Sequence, residues 1–378
     1  MVRDIKHWKH LYEEVVTTGL CTGCSACVIA CPHDVLGYDA QSGAYKPYHF
    51  EQDGGATDCT HGDKGCTLCT RACPRFGAWE PEIDTYLHGR VREEEELSGI
   101  YQEVCLTQAT DEELRNNGQD GGLVSALMIY ALEEGIIDAA LLSGLEGDGT
   151  TWKAVPLVAK SKAEVLAAAG SRYTYCANPY GYADAVAAGA ERIALVGMGC
   201  QVSAPAAMAA RRAGKIARRF SLTVGLLCSK TFDDAIFDEL FDAEYGIKRE
   251  TIRKMNIKGV FQIYTKDGGY HEVPLKQAHA WTREGCLMCP DFAAEHADIS
   301  AGGIGAYADW TLTVIRSDLG KTILEDMENK NLIVRKSIEE DPGALKLMNK
   351  LSAVSRKRGP QGAQSFTKKI EVRPSMPS

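Results

Sequence analysis

Cys21-Thr-Gly-Cys24-Ser-Ala-Cys27-Val-Ile-Ala-Cys31-Pro32 decides the fold of the first part of this chain. Its first three cysteines place three thiolates on one tight loop, which suits one face of a 4Fe-4S cluster. Gly23 and Ala26 keep this loop small beside inorganic sulfides that accept hydrogen bonds from backbone N–H groups. The fourth cysteine, followed by proline, enters a helix that leads away from the loop. The stretch therefore predicts an iron–sulfur site.

A second copy of the motif follows, in which six residues (THGDKG, 60–65) widen the first gap and leave the role of Cys59 open. Tandem runs of this kind are typical of bacterial ferredoxins, where the fourth cysteine of each run binds the other cluster. Zinc also binds paired C-x2-C motifs, but two complete runs with a terminal proline favour iron and sulfide. We predict one cluster on Cys21, Cys24, Cys27 and Cys73, and another on Cys59, Cys66, Cys69 and Cys31.

Composition narrows the class of protein. The chain has 378 residues, a length that predicts two or three domains. Its net charge of −9 argues against nucleic acid as a partner. The sequence lacks an apolar run of the roughly 18 residues that span a membrane and lacks a signal-peptide pattern. We expect a cytoplasmic protein, and peripheral association with a membrane complex stays open. Because the cytosol is reducing, the 14 cysteines would stay free of disulfides and could bind metal.

The chain divides near residue 92. Residues 1–92, with eight cysteines and many short loops, predict a small α+β dicluster ferredoxin-like domain. Residues 93–353 predict an α/β domain, with buried strands in 136–144, 192–199 and 221–229 and a helix over 123–135 that ends at glycine. We also predict a helix at 233–244, one hairpin within 252–275 that turns at 267–269, and a helix pair over 319–352. The basic tail, 354–378, has no periodicity, and we expect it to be mobile.

Six cysteines remain in the second part. Cys286-Leu-Met-Cys289 is a chelating pair, and Cys200 and Cys228 each follow a buried strand. Because the carboxyl ends of parallel strands meet at one edge of a sheet, these four thiols can close a third 4Fe-4S cluster. The alternative is that the two strand cysteines pack as small apolar residues while the pair binds zinc or nothing. For the other two, Cys105 and Cys176, we expect a place in the core.

Residues 100–320 resemble the beta subunit of coenzyme F420 hydrogenases and dehydrogenases. The matching segments, in family order, are GQDGGLVSALMIYALEEGIID, AGSRYTYCANP, ERIALVGMGCQVSA, GLLCSKTF, REGCLMCPDFAAEHADISAGGIG and WTLTVIRSDLG. The resemblance implies a flavin-binding α/β domain with one FAD, one 4Fe-4S cluster on Cys200, Cys228, Cys286 and Cys289, and coenzyme F420 as hydride donor or acceptor. Met198-Gly199 stands where the family commonly has threonine-proline, which alters the turn but leaves the thiol of Cys200.

A dinucleotide-binding G-x-G-x-x-G after a predicted strand is absent, and GGIGAYADW (302–310) follows a cysteine pair instead. A better phosphate site is the segment before the helix at 123, because glycines allow close approach and a helix N-terminus offers free N–H groups. The alternative is an ordinary helix start capped by Asp120. The predicted cofactor-binding residues are Gly118, Gln119, Asp120, Gly121, Gly122, Ser171, Arg172, Tyr173 and Lys258.

These observations predict an iron–sulfur flavoprotein that exchanges hydride between F420 and FAD. Single electrons would then pass through three 4Fe-4S clusters to or from ferredoxin or a partner subunit, with no catalytic side chain required. Two alternatives stay open: a ferredoxin-dependent reductase of an organic substrate, and a non-catalytic electron-transfer subunit of a larger complex.

Overall fold

The computed structural model describes residues 5–40, 43–50 and 58–358. Most of the predicted tail lies outside these ranges. Its first residues, 354–356, complete the last helix of the fold. Within the described residues, no helix is long and apolar enough to cross a membrane.

The cysteine-rich N-terminal region is built from short elements around buried aromatic and aliphatic side chains. Its first helix continues as a π-helical turn, Tyr12–Val16, and buries Trp8, Leu11 and Val15 beside cysteines of both motifs. Its two strands pair antiparallel. The elements are α1 (Trp8–Leu11), α2 (Ala26–Ile29), β1 (Leu36–Tyr38), β2 (Pro47–His49), α3 (Thr60–Asp63), α4 (Leu68–Ala72) and α5 (Trp79–His88).

The second region is organised by an eight-stranded mixed sheet beside a separate three-stranded one. The strands are β3 (Glu103–Ala109), β4 (Ala139–Leu145), β5 (Ala154–Ala159), β6 (Ile193–Met198), β7 (Phe220–Leu226), β8 (Ile252–Ile257), β9 (Val260–Thr265), β10 (Tyr270–Pro274), β11 (Ile299–Gly302), β12 (Thr311–Ile315) and β13 (Ile333–Ser337). The large sheet has the order β13-β3-β12-β11-β7-β6-β4-β5. Its central strands β11, β7, β6 and β4 run parallel, and the flanking pairs are antiparallel.

Helices cover the large sheet. One of them, α7, is apolar on nearly all sides because it packs in the main hydrophobic core beside the sheet. The helices are α6 (Glu112–Asn117), α7 (Leu123–Glu133), α8 (Lys162–Ala167), α9 (Tyr182–Ala187), α10 (Gly199–Ala210), α11 (Ala243–Tyr245), α12 (Leu275–Ala278), α13 (Glu284–Leu287), α14 (Asp318–Asn329) and α15 (Pro342–Arg356). A π-helical segment, Phe237–Asp242, precedes α11.

The mixed α/β fold is present as predicted. The three predicted buried strands correspond to β4, β6 and β7. Three segments differ in detail from the prediction. The segment 252–275 forms two hairpins, because Lys258-Gly259 also turns the chain, with Gly259 at φ +77°. The last two helices are separated by β13, which pairs with β3 at the sheet edge. The helix predicted at 233–244 is present at 236–245, after a short turn, and is largely π-helical.

Candidate functional site

Four of the predicted ligands, Cys21, Cys24, Cys27 and Cys73, line one cavity. It holds about 350 Å³ of atom-free space, part of it open to solvent, and its other walls include Leu11, Val15 and Arg75. Burial raises the pKa of the Cys24 thiol to about 11. Thiols in such surroundings are anionic only when a positive group compensates them, and iron does so. The donor set therefore fits an iron–sulfur cluster.

The other four motif cysteines, Cys31, Cys59, Cys66 and Cys69, line a second cavity of about 310 Å³. Trp8 and Leu68 close part of its wall, and burial raises the pKa of the Cys69 thiol to about 12. At the rim, the rings of His33 and His61 stack with centroids 3.7 Å apart. Cys59, whose role the insertion left open, lies in this cavity because α3 begins directly after it.

Local helix geometry explains how each motif reaches both cavities. Ser25 adopts φ +62° and starts α2, which carries Cys27, and Cys31 comes two residues after the end of this helix. Helix α4 likewise carries Cys69 and ends at Ala72, directly before Cys73. Among the described residues, no three His, Cys, Asp or Glu side chains are grouped so that they could hold a single metal ion. The thiols line cavities instead.

The third group of cysteines lies at the carboxyl edge of the large sheet. Met198 of β6 pairs with Leu226 of β7, and Cys200 and Cys228 each follow two residues later. The backbone N–H of Cys228 donates to Phe292 O over 2.9 Å, which holds this turn beside the segment after the cysteine pair. Burial, and then the Cys286 and Cys289 thiols, raise the pKa of Cys228. Burial and Cys289 raise the pKa of Cys200 in the same way.

Polar donors surround this third group. The N–H and hydroxyl of Thr231 lie 3.4 Å from the Sγ of Cys286. Arg75, from the first region, donates from Nη2 to the Sγ of Cys289 over 2.8 Å. Burial alone would lower the pKa of Arg75, but the thiols of Cys289 and Cys200 raise it above its ordinary value. Such donors stabilise negative charge on sulfur.

The first region docks directly against the third group. Gly285 in α13 lacks a side chain where the Cys21 carbonyl approaches, so the two cysteine loops are in backbone contact. Next to it, Arg283 is buried and donates to Thr22 O over 3.0 Å and to Ala44 O over 3.3 Å. The first cavity and the third group are therefore neighbours.

The predicted phosphate segment joins α6 to α7 through Gly121 and Gly122, both at positive φ. Gly122, not Asp120, is the residue that starts α7, so the capping alternative for Asp120 was wrong. The side chain of Asp120 instead forms an ion pair with Lys258 over 3.3 Å. Two predicted cofactor residues therefore neutralise each other.

Arg172 lies close to the glycine segment. Its Nη1 lies beside Gly170, and Gly170 also faces the carbonyl of Asn117, the residue directly before the segment. Its Nη1 donates to Ala169 O over 3.1 Å, but its buried Nε has no hydrogen-bond partner among the described residues. Burial lowers the pKa of Arg172 to about 10, and only the Cys176 thiol opposes this shift. A half-buried cation with an unpaired, buried Nε suits an anionic ligand.

Ser171 and Tyr173 connect this cation to the third cysteine group. The Tyr173 carbonyl accepts from Phe232 N over 3.0 Å, one residue after the threonine that contacts Cys286. Burial raises the pKa of the Tyr173 hydroxyl to about 12, and the neighbouring Ser171 side chain and Ile257 backbone oppose this shift. The predicted cofactor residues and the third cysteine group therefore share one edge of the sheet.

The GGIG segment also reaches this edge. It follows a strand, β11, which the sequence pattern did not reveal, and Gly303 lies against the Asp120 carboxylate. Cys105 and Cys176 are buried at 2% and 4% exposure, as expected. Arg75 and Arg283 were not predicted to contribute, because no spacing pattern marks an arginine whose partners lie on a distant part of the chain.

Tandem cysteine cavities beside an α/β domain define the class of iron–sulfur electron-transfer proteins, and a 4Fe-4S dicluster domain model matches residues 20–78. The models for the N-terminal and C-terminal parts of the coenzyme F420 hydrogenase/dehydrogenase beta subunit match residues 104–180 and 190–341. The chain belongs to this family.

Relatives agree with this assignment. The coenzyme F420 hydrogenase subunit beta of Methanothermobacter thermautotrophicus is 35% identical over 269 residues, covering 69% of this chain and 93% of its own. A subunit of the F(420)H(2) dehydrogenase of Methanosarcina mazei is 27% identical over 94% of this chain and 95% of its own. Among solved structures, a chain of the F420-reducing [NiFe] hydrogenase complex from Methanosarcina barkeri is 30% identical, with a TM-score of 0.68 over 74% of this chain and 95% of that chain.

Proposed function

We propose that this protein is an iron–sulfur flavoprotein that exchanges hydride between coenzyme F420 and FAD and passes single electrons through three 4Fe-4S clusters. Ferredoxin or a partner subunit gives or takes these electrons. A flavin accepts hydride and releases electrons singly, which is the chemistry that joins a two-electron substrate to one-electron clusters. The cytoplasmic location expected from the sequence is part of this proposal.

The observation that carries the FAD assignment is the guanidinium of Arg172 beside the glycine segment, whose Nε has no hydrogen-bond partner among the described residues. A pyrophosphate there would receive a charge-assisted hydrogen bond from Arg172 and hydrogen bonds from backbone N–H groups of residues 119–122. The Asp120–Lys258 pair would close the other side. Tyr173 and Ser171 stand between this place and Cys286, so a flavin bound here would lie next to the third cysteine group.

The residues of the chain have three tasks in this proposal. Twelve cysteines hold the clusters: Cys21, Cys24, Cys27, Cys31, Cys59, Cys66, Cys69, Cys73, Cys200, Cys228, Cys286 and Cys289. Arg172 and the glycine segment hold the flavin. The buried contacts of Arg283 and Gly285 hold the two regions together, which keeps the third cysteine group next to the first cavity.

Anaerobic purification of the full chain tests the proposal. We expect about twelve iron atoms and twelve sulfides per chain, as three cubanes require, together with one FAD. Stopped-flow mixing with F420 and with its reduced form should show reversible bleaching of the F420 absorbance. Eight irons would remove the third cluster, and no reaction in either direction would refute the hydride step.

A second candidate is an electron-transfer subunit without a small-molecule substrate. It is favoured by the similarity to a chain of a hydrogenase complex and to part of a dehydrogenase. Full iron content without FAD after anaerobic purification would support this candidate over the first. A third, ferredoxin-dependent reduction of an organic substrate, would show FAD, reaction with reduced ferredoxin and no reaction with F420.

A further inference from the structure

Arg75 follows Cys73 and Pro74 at the end of the second cysteine motif, and it contacts thiols of two different cysteine groups. Its backbone N–H lies 3.4 Å from the Sγ of Cys73, which lines the first cavity. Its guanidinium Nη2 lies 2.8 Å from the Sγ of Cys289, which belongs to the third group. A single residue therefore joins a proposed ligand of one cluster to a proposed ligand of the next.

The side chain is held for this contact. Arg75 is 7% exposed, and its guanidinium carbon lies 4.5 Å from the centroid of the Trp79 ring in α5. Arg75 also lines the first cavity together with Cys24 and Cys73. Because arginine stays protonated at any pH the protein meets, this is a permanent positive charge.

Resting on the three-cluster proposal, we propose that Arg75 is a positioning residue that sets the reduction potential of the cluster on Cys200, Cys228, Cys286 and Cys289. Each reduction adds one negative charge to the cluster and its thiolates. A buried cation and an N–H donor stabilise the reduced form more than the oxidised one, so they raise the potential. The charge of Arg75 also acts on the Cys24 thiol, so we expect a weaker effect of the same sign on the first cluster.

Arg71 provides a matched control. It lies four residues earlier, and its guanidinium also crosses between the regions, but its partners are the carbonyls of Arg211 (2.6 Å) and Arg212 rather than thiols. Arg71→Met therefore removes a comparable cross-region arginine without removing a cation that is hydrogen-bonded to a thiol. Arg75→Lys keeps the charge and loses the planar fork.

The test is a redox titration of the anaerobic full chain, followed by electron paramagnetic resonance, with iron content measured in parallel. A Cys228→Ala variant identifies the signal of the third cluster by its loss. We expect Arg75→Met to keep its iron and to shift that signal to lower potential, with a smaller shift for the first cluster. Arg75→Lys should shift less, and Arg71→Met should match the wild type.

Unchanged potentials in Arg75→Met at full iron content would overturn the proposal. If Arg75→Met loses iron, Arg75→Gln replaces it in the same comparison, and iron loss in both variants would overturn the proposal by showing a purely structural role. A wild-type chain with only eight irons and no third signal would instead refute the three-cluster proposal itself. The two failures are therefore distinguishable.

Discussion

The guanidinium carbon of Arg283 lies 3.7 Å from the centroid of the Tyr175 ring. Tyr175 and Arg283 are both buried, and the same guanidinium reaches the carbonyl of Thr22 between two motif cysteines. One side chain therefore stacks on the α/β domain and hydrogen-bonds to the ferredoxin-like region. Because Arg283 precedes α13, it also fixes the helix that carries Cys286.

We expect Arg283→Met to lower the free energy of unfolding by about 3 kcal/mol, the combined effect of a buried cation–π contact and charged hydrogen bonds. Urea unfolding of the anaerobic protein, followed by tryptophan fluorescence, measures this loss. Arg253→Met is the control, because Arg253 is exposed. A loss no larger than that of the control would contradict the role given to this stacking.

Arg172→Gln should lower FAD content about tenfold or more without changing iron content. The reason is that the variant removes a charge-assisted hydrogen bond to the proposed pyrophosphate. Flavin and iron analysis of the purified variant measures both quantities. Arg218→Gln, at an exposed position, should retain FAD. Equal FAD content in the two variants would place the flavin elsewhere.

Gly121→Ala should also lose FAD. Gly121 has φ +93°, and a Cβ there would lie 2.9 Å from the backbone N of Thr311, so the segment must shift. Gly135 is a close control, because it has φ +63° but its Cβ would meet open space. Both variants incur backbone strain of roughly 1 kcal/mol; a larger effect on FAD binding is expected only at position 121. Similar FAD affinities would argue against a cofactor role for the segment.

The fourth cysteine of each motif lines the cavity that holds the first three cysteines of the other motif. This arrangement predicts which cysteine variants lose the same cluster. Cys31→Ala should abolish the same paramagnetic signal as Cys66→Ala, because both cysteines line the second cavity. Cys73→Ala should abolish the same signal as Cys24→Ala. Each variant should keep about eight irons. If Cys31→Ala instead matches Cys24→Ala, each motif binds its own cluster.

Cys105 and Cys176 should resist alkylation in the native protein. Burial raises the pKa of Cys105 to about 11 and that of Cys176 to about 12, so both stay protonated at pH 8, and only the thiolate reacts. An unfolded chain releases these protons near pH 8.5, so the contribution of both thiols to stability is complete below that pH and is lost as pH rises toward 12. Iodoacetamide labelling with peptide mass spectrometry, with and without urea, checks the accessibility. Labelling at equal rates in both conditions would be the contrary result.

The cysteine positions were largely predictable because their spacing is local. Cys200 and Cys228 could be predicted to lie close together because each follows a buried strand, and the β6–β7 register places the ends of these two strands side by side. Short strand β11 was missed, since ISAG carries neither a long apolar run nor a clear alternation. Strand β13 fell within the predicted helix pair for a related reason, its pairing with β3 being a long-range contact.

The partners of charged side chains were the least predictable feature of the site. Asp120 offered a plausible helix cap by sequence position, but its partner is Lys258, 138 positions later in the chain. The same holds for Arg75 and Arg283, whose thiol and carbonyl partners are supplied by the other region. Sequence spacing carries no information about such pairs, because they depend on how two regions dock.

The shared cavities of the ferredoxin-like region also limit how the chain can be divided. A fragment that stops at residue 50 would contain three thiols of one cavity and a single thiol of the other, so neither set would be complete. The duplicated motif therefore cannot be trimmed to one copy in a minimal electron carrier. Protein engineers who transplant this region into another enzyme would have to move both copies as one inseparable unit.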